Sequence, residues 1–188
     1  IDGIVKNLRT YVGAGAHAME STNLDDCIRS TVSLLDTHLQ AKGVKVVLDL
    51  RLTAEVRCSP SEINQVFMNL VLNASQAMPE GGTITLHSEE LPDSVRIVVA
   101  DTGPGVPESL RHSIFDPFFT TRAPNQGTGL GLAVSIEIAR RHGGKLELLV
   151  RGEGERGAAF ALTLPRAPDA AKLRSADKIR RFSTDSDS

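Results

Sequence analysis

Two glycine-punctuated segments, Asp101-Thr-Gly-Pro-Gly-Val106 and Gly127-Thr-Gly-Leu-Gly-Leu132, constrain this chain more than any other feature. Glycine permits turns and close backbone approaches that other residues resist. Here it breaks the chain at the end of an apolar strand-like run and again where an apolar helical run begins. The stretch between, residues 102–127, has no sustained period and holds four prolines. A loop of that length is either functional or disordered. Phe115, Phe118 and Phe119 favour function, because a disordered linker seldom carries three aromatics so close together.

Periodicity supplies the elements around these segments. Ile1, Ile4, Val5, Leu8 and Val12 recur at helical spacing, so residues 1–19 read as the end of an amphipathic helix whose apolar stripe needs a partner. Asn23 and Asp25 offer caps for a helix over 24–42, stopped by Gly43. Strands are expected over 44–50 and at 55–58. Ser59-Pro60-Ser61-Glu62 starts a helix that runs to about Met78, with Pro60 in its first turn. Two strands, 83–91 and 94–100, form a hairpin about Leu91-Pro-Asp-Ser94, and Asp101 lies just past the second. A helix over Thr128–Arg141 and strands at 145–150 and 157–164 complete one domain over residues 20–166, and a polar tail follows at 167–188.

The chemistry of the glycine segments is specific when they are taken together. A carboxylate at a strand end can accept from an adenine amino group, where guanine would offer another acceptor. Glycine-freed amides opening a helix can hold phosphates. The pair therefore reads as an ATP pocket, with Asp116-Pro-Phe-Phe-Thr-Thr-Arg122 as part of its lid. Taken alone, the first segment reads equally well as a plain turn after a strand. The second is neither a Rossmann fingerprint, since Leu132 replaces the last glycine, nor a Walker A loop. Arg122 can grip phosphate oxygens or stand solvated, and the three phenylalanines can anchor the lid or simply fill the loop.

The helix over 60–78 adds a third element. Glu62, Gln65, Asn69, Asn73 and Gln76 fall within an arc of about 80°. A solvated face favours Lys, Glu and Arg, and Asn is a mediocre helix former, so two Asn residues one turn apart require a reason. One is a wet amide-rich side. The other is magnesium, which keeps most of its water and takes one or two protein oxygens beside substrate phosphates. An amide carbonyl supplies that oxygen without adding negative charge.

Asn69-Leu-Val-Leu-Asn73-Ala, Asp101-Thr-Gly-Pro-Gly105, Asp116-Pro-Phe-Phe-Thr and Gly127-Thr-Gly-Leu-Gly131-Leu, in this order, resemble the four ATP-site boxes of sensor histidine kinases. The likeness covers about residues 20–166. It implies an α+β, two-layer sandwich of the Bergerat type shared with gyrase-like ATPases: a mixed, mostly antiparallel sheet with helices on one face. It further implies magnesium on Asn73, adenine on Asp101, and ATP contacts from Asn69, Gly103, Gly105, Thr120, Thr121, Arg122, Gly127, Thr128, Gly129, Leu130, Gly131 and Leu132. Asn69 and Arg122 become the residues at the transferred phosphate. In the gyrase-like relatives the position of Asn69 is a glutamate that activates water, which an amide cannot do. Slow hydrolysis and phosphoryl transfer to an external acceptor follow. Partners implied are ATP, a helical dimerisation and phosphoacceptor domain of the same protein, a homodimeric full-length kinase, and a response regulator receiver domain. Residues 1–19 resemble the end of that dimerisation hairpin.

The bulk numbers agree. Lys+Arg 21 against Asp+Glu 23 gives a net charge of −2, so nothing points to nucleic acid or direct contact with an anionic membrane. Cys27 and Cys58 match no zinc spacing and read as reduced core residues of a cytoplasmic domain. The chain begins with Ile1 and carries no membrane-length apolar run, so it is expected to be a fragment whose parent can still be membrane-anchored. His17 is followed by Ala18-Met19 rather than an acidic residue, and His38, His87, His112 and His142 lack a partner marking a general base, so the phosphoacceptor is expected elsewhere. An ATPase clamp and a non-catalytic nucleotide scaffold are the alternative readings.

Overall fold

The computed structural model describes residues 18–121, 128–152 and 156–167. Most of the expected N-terminal helix, together with Arg122, Gly127 and the tail beyond Ala167, lies outside the described residues. Ala18 and Met19 are described and are not helical.

Helix α1 (Leu24–Ala41) begins where Asn23, in extended conformation, accepts the Asp25 amide at 2.8 Å with its side-chain oxygen. The same Asn23 donates to the Leu52 carbonyl at 3.1 Å, and Asp25 accepts the Leu52 amide at 2.8 Å, so this cap also ties the helix to the strand layer. Strand β1 (Glu20–Thr22) precedes the helix and pairs antiparallel with β3 (Val56–Cys58) as a separate small sheet. Nothing in the sequence reading anticipated β1, because three residues are too few to display an alternation.

The main sheet has five strands in the order β2-β4-β5-β7-β6: β2 (Val44–Asp49), β4 (Gly82–Glu90), β5 (Ser94–Asp101), β6 (Lys145–Leu148) and β7 (Ala159–Pro165). Strands β2 and β4 are parallel, since the chain crosses through helix α2 (Pro60–Ala77) between them; every other pair is antiparallel. Hairpin β4–β5 closes with the Leu91 amide on the Ser94 carbonyl at 2.8 Å.

Burial alternates along the strands as the pleat requires. Ile84 and Leu86, then Val95, Ile97 and Val99, then Leu162 and Leu164, face the helices, with Ile63, Val66, Phe67, Leu70 and Val71 of α2 against them. The other face carries ion pairs: Asp49 with His87 and Arg51, Arg96 with Glu89, and Lys145 with Glu147. This is the two-layer α+β sandwich expected, with helices on one face.

Several boundaries differ from the sequence reading. Asp101 belongs to β5 rather than following it, and it continues the buried phase of Val95, Ile97 and Val99, so its carboxylate points toward the helix layer. Helix α3 runs Gly131–Arg141 and starts three residues later than expected. Gly129, at φ 64°, packs on the Phe118 backbone and cannot be helical there. The last strands are β6, ending at Leu148, and β7, beginning at Ala159. Residues 102–121 are not featureless, for they hold two single turns of 3-10 helix at Glu108–Leu110 and Ser113–Phe115.

Candidate active site

At the end of β5 the Asp101 residue is 6% exposed and polar in an otherwise apolar register. Its Oδ1 accepts the Gly103 amide at 2.8 Å and the Ala158 amide at 3.2 Å. Its backbone is held as well, the amide by the Ala158 carbonyl at 2.9 Å and the carbonyl by Arg151 Nη1 at 3.0 Å. With Oδ1 occupied by two amides, Oδ2 is the oxygen left to face a ligand.

The turn after Asp101 can form only because neighbours lack side chains. A Cβ on Gly103 would stand 2.9 Å from Asp101 Oδ1, and one on Gly157 would stand 1.8 Å from the Asp101 carbonyl oxygen. Gly105 lies against Gly157 at φ 79°. Met78, 4% exposed at the C-terminal end of α2, touches the positions of Gly82 and Gly103. Thr102 locks the turn to β4 through reciprocal bonds with Thr83, at 3.1 and 3.0 Å.

The middle of α2 meets the second glycine segment. Asn69 Nδ2 donates to the Gly131 carbonyl at 3.1 Å and to Ser135 Oγ at 3.1 Å. Gly131 lies so close that a Cβ there would come within 3.6 Å of Asn69 Cγ. Asn73 is half-buried one turn further on. One helix thus carries both ends of the site, with Met78 at the aspartate end and Asn69 at the glycine-turn end about 13 Å away along the axis. Asn73 stands between them.

The base of the loop over residues 102–121 is fastened to the turn before α3. Phe118 donates its amide to the Gly129 carbonyl at 2.9 Å, and a Cβ on Gly129 would overlap the Phe118 backbone at 2.4 Å. Phe118 sits at φ 69° with 74% of its surface exposed, whereas Phe115 sets its ring edge-on against Phe160 of β7 at 6.3 Å. Of the three phenylalanines, Phe115 anchors the loop to the body and Phe118 does not. Thr120, Thr121 and Thr128 are exposed beside that base, and Leu130 and Leu132 are half-buried.

The far end of α3 is bolted to the start of α2. His142 Nε2 accepts the Ser59 amide at 3.0 Å and Nδ1 donates to the Ile138 carbonyl at 2.8 Å, which defines a neutral ring with its proton on Nδ1. Glu62 pairs with Arg141 at 2.9 Å. Glu62 therefore leaves the amide arc in which the helical wheel placed it, because α3 covers that end of α2.

The structure brings together Asn69, Gly131, Leu130 and Leu132 at one end and Asp101, Gly103 and Gly105 at the other. Residues absent from the sequence reading complete it: Ser135, Met78, Gly157 and Ala158. No local signal marks them, since each acts through a partner distant in the chain. Among the described residues no group of three His, Cys, Asp or Glu side chains forms a metal cage. An ion held mainly by water and phosphate, with amide oxygens from α2, fits this donor set.

An α+β sandwich with an amide-bearing helix, a buried strand-end aspartate and a glycine-rich helix start defines an ATP-binding domain. The chain belongs to the histidine kinase-, DNA gyrase B- and HSP90-like ATPase family, whose model matches residues 58–168. It is 34% identical over 171 residues to sensor histidine kinase ZraS of Salmonella typhi, covering 88% of this chain and 35% of that protein. The chain thus spans about a third of that relative's length. Among solved structures it resembles the nucleotide-free catalytic domain of histidine kinase ThkA, with TM-score 0.71, 34% identity, and coverage of 80% of this chain and 97% of that one. It also resembles ThkA in complex with the response regulator TrrA, with TM-score 0.69, 30% identity, and coverage of 90% and 48%.

Proposed function

We propose that residues 20–166 are the catalytic domain of a two-component sensor histidine kinase, binding Mg-ATP and passing the γ-phosphate to a histidine on a separate helical domain. The observation that carries this reading is the amide at position 69. Asn69 occupies the α2 position nearest the glycine turn, tied to Gly131, and an amide cannot deprotonate water. The domain therefore holds a nucleotide without spending it on hydrolysis. Catalysis is positioning and charge neutralisation, with little covalent work by the domain itself.

Within that reading each residue has a task. Asp101 Oδ2 accepts the adenine amino group in a site closed by Gly103, Gly105 and Gly157. The backbone of Thr128–Gly131, leading into α3, faces the phosphates. Asn73, with Asn69 beside it, would hold a magnesium ion through amide oxygen, and the ion would supply neutralisation of the phosphate charge. Thr120, Thr121 and Arg122 contact phosphate from the lid. The helical acceptor domain, a homodimeric parent and a response regulator receiver are the partners of the whole protein, in keeping with the TrrA complex of the related ThkA. No helix among the described residues is long and apolar enough to cross a membrane. A cytoplasmic position is part of the proposal.

The test mixes the chain with Mg-ATP labelled at the γ-phosphate and a dimeric helical domain bearing an acceptor histidine. Acid-labile, base-stable label on the acceptor, with slow phosphate release in its absence, is the expected result. Steady ATP turnover without an acceptor would instead identify an ATPase clamp.

A further inference from the structure

We infer that Ser135 is a positioning residue that, together with the Gly131 carbonyl, holds the nitrogen end of the Asn69 amide toward α3 and its oxygen toward the nucleotide. The geometry stands by itself; its consequence for magnesium rests on the function proposed above. Ser135 lies one turn into α3, outside every glycine segment, and is fully buried. Its hydroxyl donates its single hydrogen to the Gly131 carbonyl at 2.8 Å. Toward Asn69, 3.1 Å away, it can therefore offer only a lone pair. The Gly131 carbonyl, also 3.1 Å from Asn69, has no hydrogen to give either.

In this arrangement both neighbours accept, so the Asn69 nitrogen lies toward α3 and Oδ1 turns the other way. A reversed amide would set oxygen against the Gly131 carbonyl, and Ser135 could meet it only by withdrawing its hydroxyl hydrogen from Gly131. Asn69 consequently presents an acceptor, which suits a divalent cation or its bound water and repels a phosphate oxygen. Removing the serine hydroxyl leaves one acceptor in place of two and loosens the hold on the amide nitrogen.

The experiment compares wild type with Ser135→Ala and with Ser135→Cys, which keeps the volume but offers only a weakly accepting sulfur. Without nucleotide, the Asn69 side-chain NH2 signal is followed by NMR hydrogen exchange, assigned by its loss in Asn69→Ala. Exchange about tenfold faster in both serine variants is expected for the loss of one of two bonds. Unchanged exchange in either folded variant overturns the inference. Calorimetry then measures ATP binding with and without Mg2+. The variants should lose about fivefold in the magnesium-dependent part alone, the size of one neutral hydrogen bond, and Ser135→Ala should add nothing in an Asn69→Ala background. An equal loss with and without magnesium also overturns it. If wild type binds no Mg-ATP, the proposed function fails, and the exchange measurement still decides the role of Ser135.

Discussion

Replacing Asp101 by Asn tests the proposed adenine site without emptying it. In the native protein Oδ1 accepts from Gly103 and Ala158, at 2.8 and 3.2 Å, and both donors are backbone amides that cannot reverse. An Asn side chain at 101 must therefore put its one oxygen in the place of Oδ1. Its NH2 then occupies the place of Oδ2, where the adenine amino group is expected. Donor faces donor, costing about 1–3 kcal/mol, or roughly 5- to 150-fold in ATP affinity. The fold loses a comparable amount. Two bonds to a carboxylate become two to a neutral amide, at about 1 kcal/mol each, which shifts Tm down by roughly 4–8 °C. A purine with a 6-oxo group accepts from the new NH2, so inosine triphosphate should bind the variant better than ATP does. Calorimetry with both nucleotides and a thermal melt decide the matter. A folded variant that binds ATP as tightly as wild type, or that fails to reverse the preference, refutes the reasoning.

Three further outcomes follow from other parts of the molecule. Gly157→Ala should cost more than about 4 kcal/mol, because its Cβ would stand 1.8 Å from the Asp101 carbonyl oxygen at a φ of 89°; a urea midpoint near that of wild type would contradict this. Burial, followed by the neighbouring Cys58, pushes the Cys27 thiol up to about 12, and burial also raises Cys58. At pH 8 roughly one Cys27 in ten thousand is thiolate, so neither cysteine should react with a maleimide until urea unfolds the chain, as mass spectrometry would record. The Thr53 hydroxyl and amide, then the Ala54 amide, hold the Glu90 carboxyl below its usual range. A carboxylate lowered by folding stabilises above its unfolded value and loses that contribution as pH falls through the folded one. The stability advantage of wild type over Glu90→Gln, read from urea titrations, should accordingly be present at pH 6 and shrink below about pH 4.

Much of the architecture was legible because its determinants are local. The 3.6-residue period of Ile63, Val66, Phe67, Leu70 and Val71 marks one side of α2, and Pro60 and Ser59 mark its start within a residue. The alternation of Val95, Ile97 and Val99 marks β5, and carried one step further it would have included Asp101. The start of α3 was misjudged for a tertiary reason: Thr128 to Leu130 look helical until Phe118 holds Gly129 at positive φ. Glu62 looked like part of the ligand-facing arc until Arg141 claimed it.

From sequence alone come the helices and strands of the described residues other than β1, the order of the four motifs, the aspartate and the two asparagines, since each depends on residues a few positions apart. The sheet order β2-β4-β5-β7-β6, the oxygen of Asp101 taken up by backbone amides, and the contacts of Ser135, Met78 and Ala158 were decided only by the tertiary structure. Those depend on contacts across 57 and 66 residues of chain. A hydrogen bond between such distant partners imposes no period on either neighbourhood, and so leaves no trace until the layers come together.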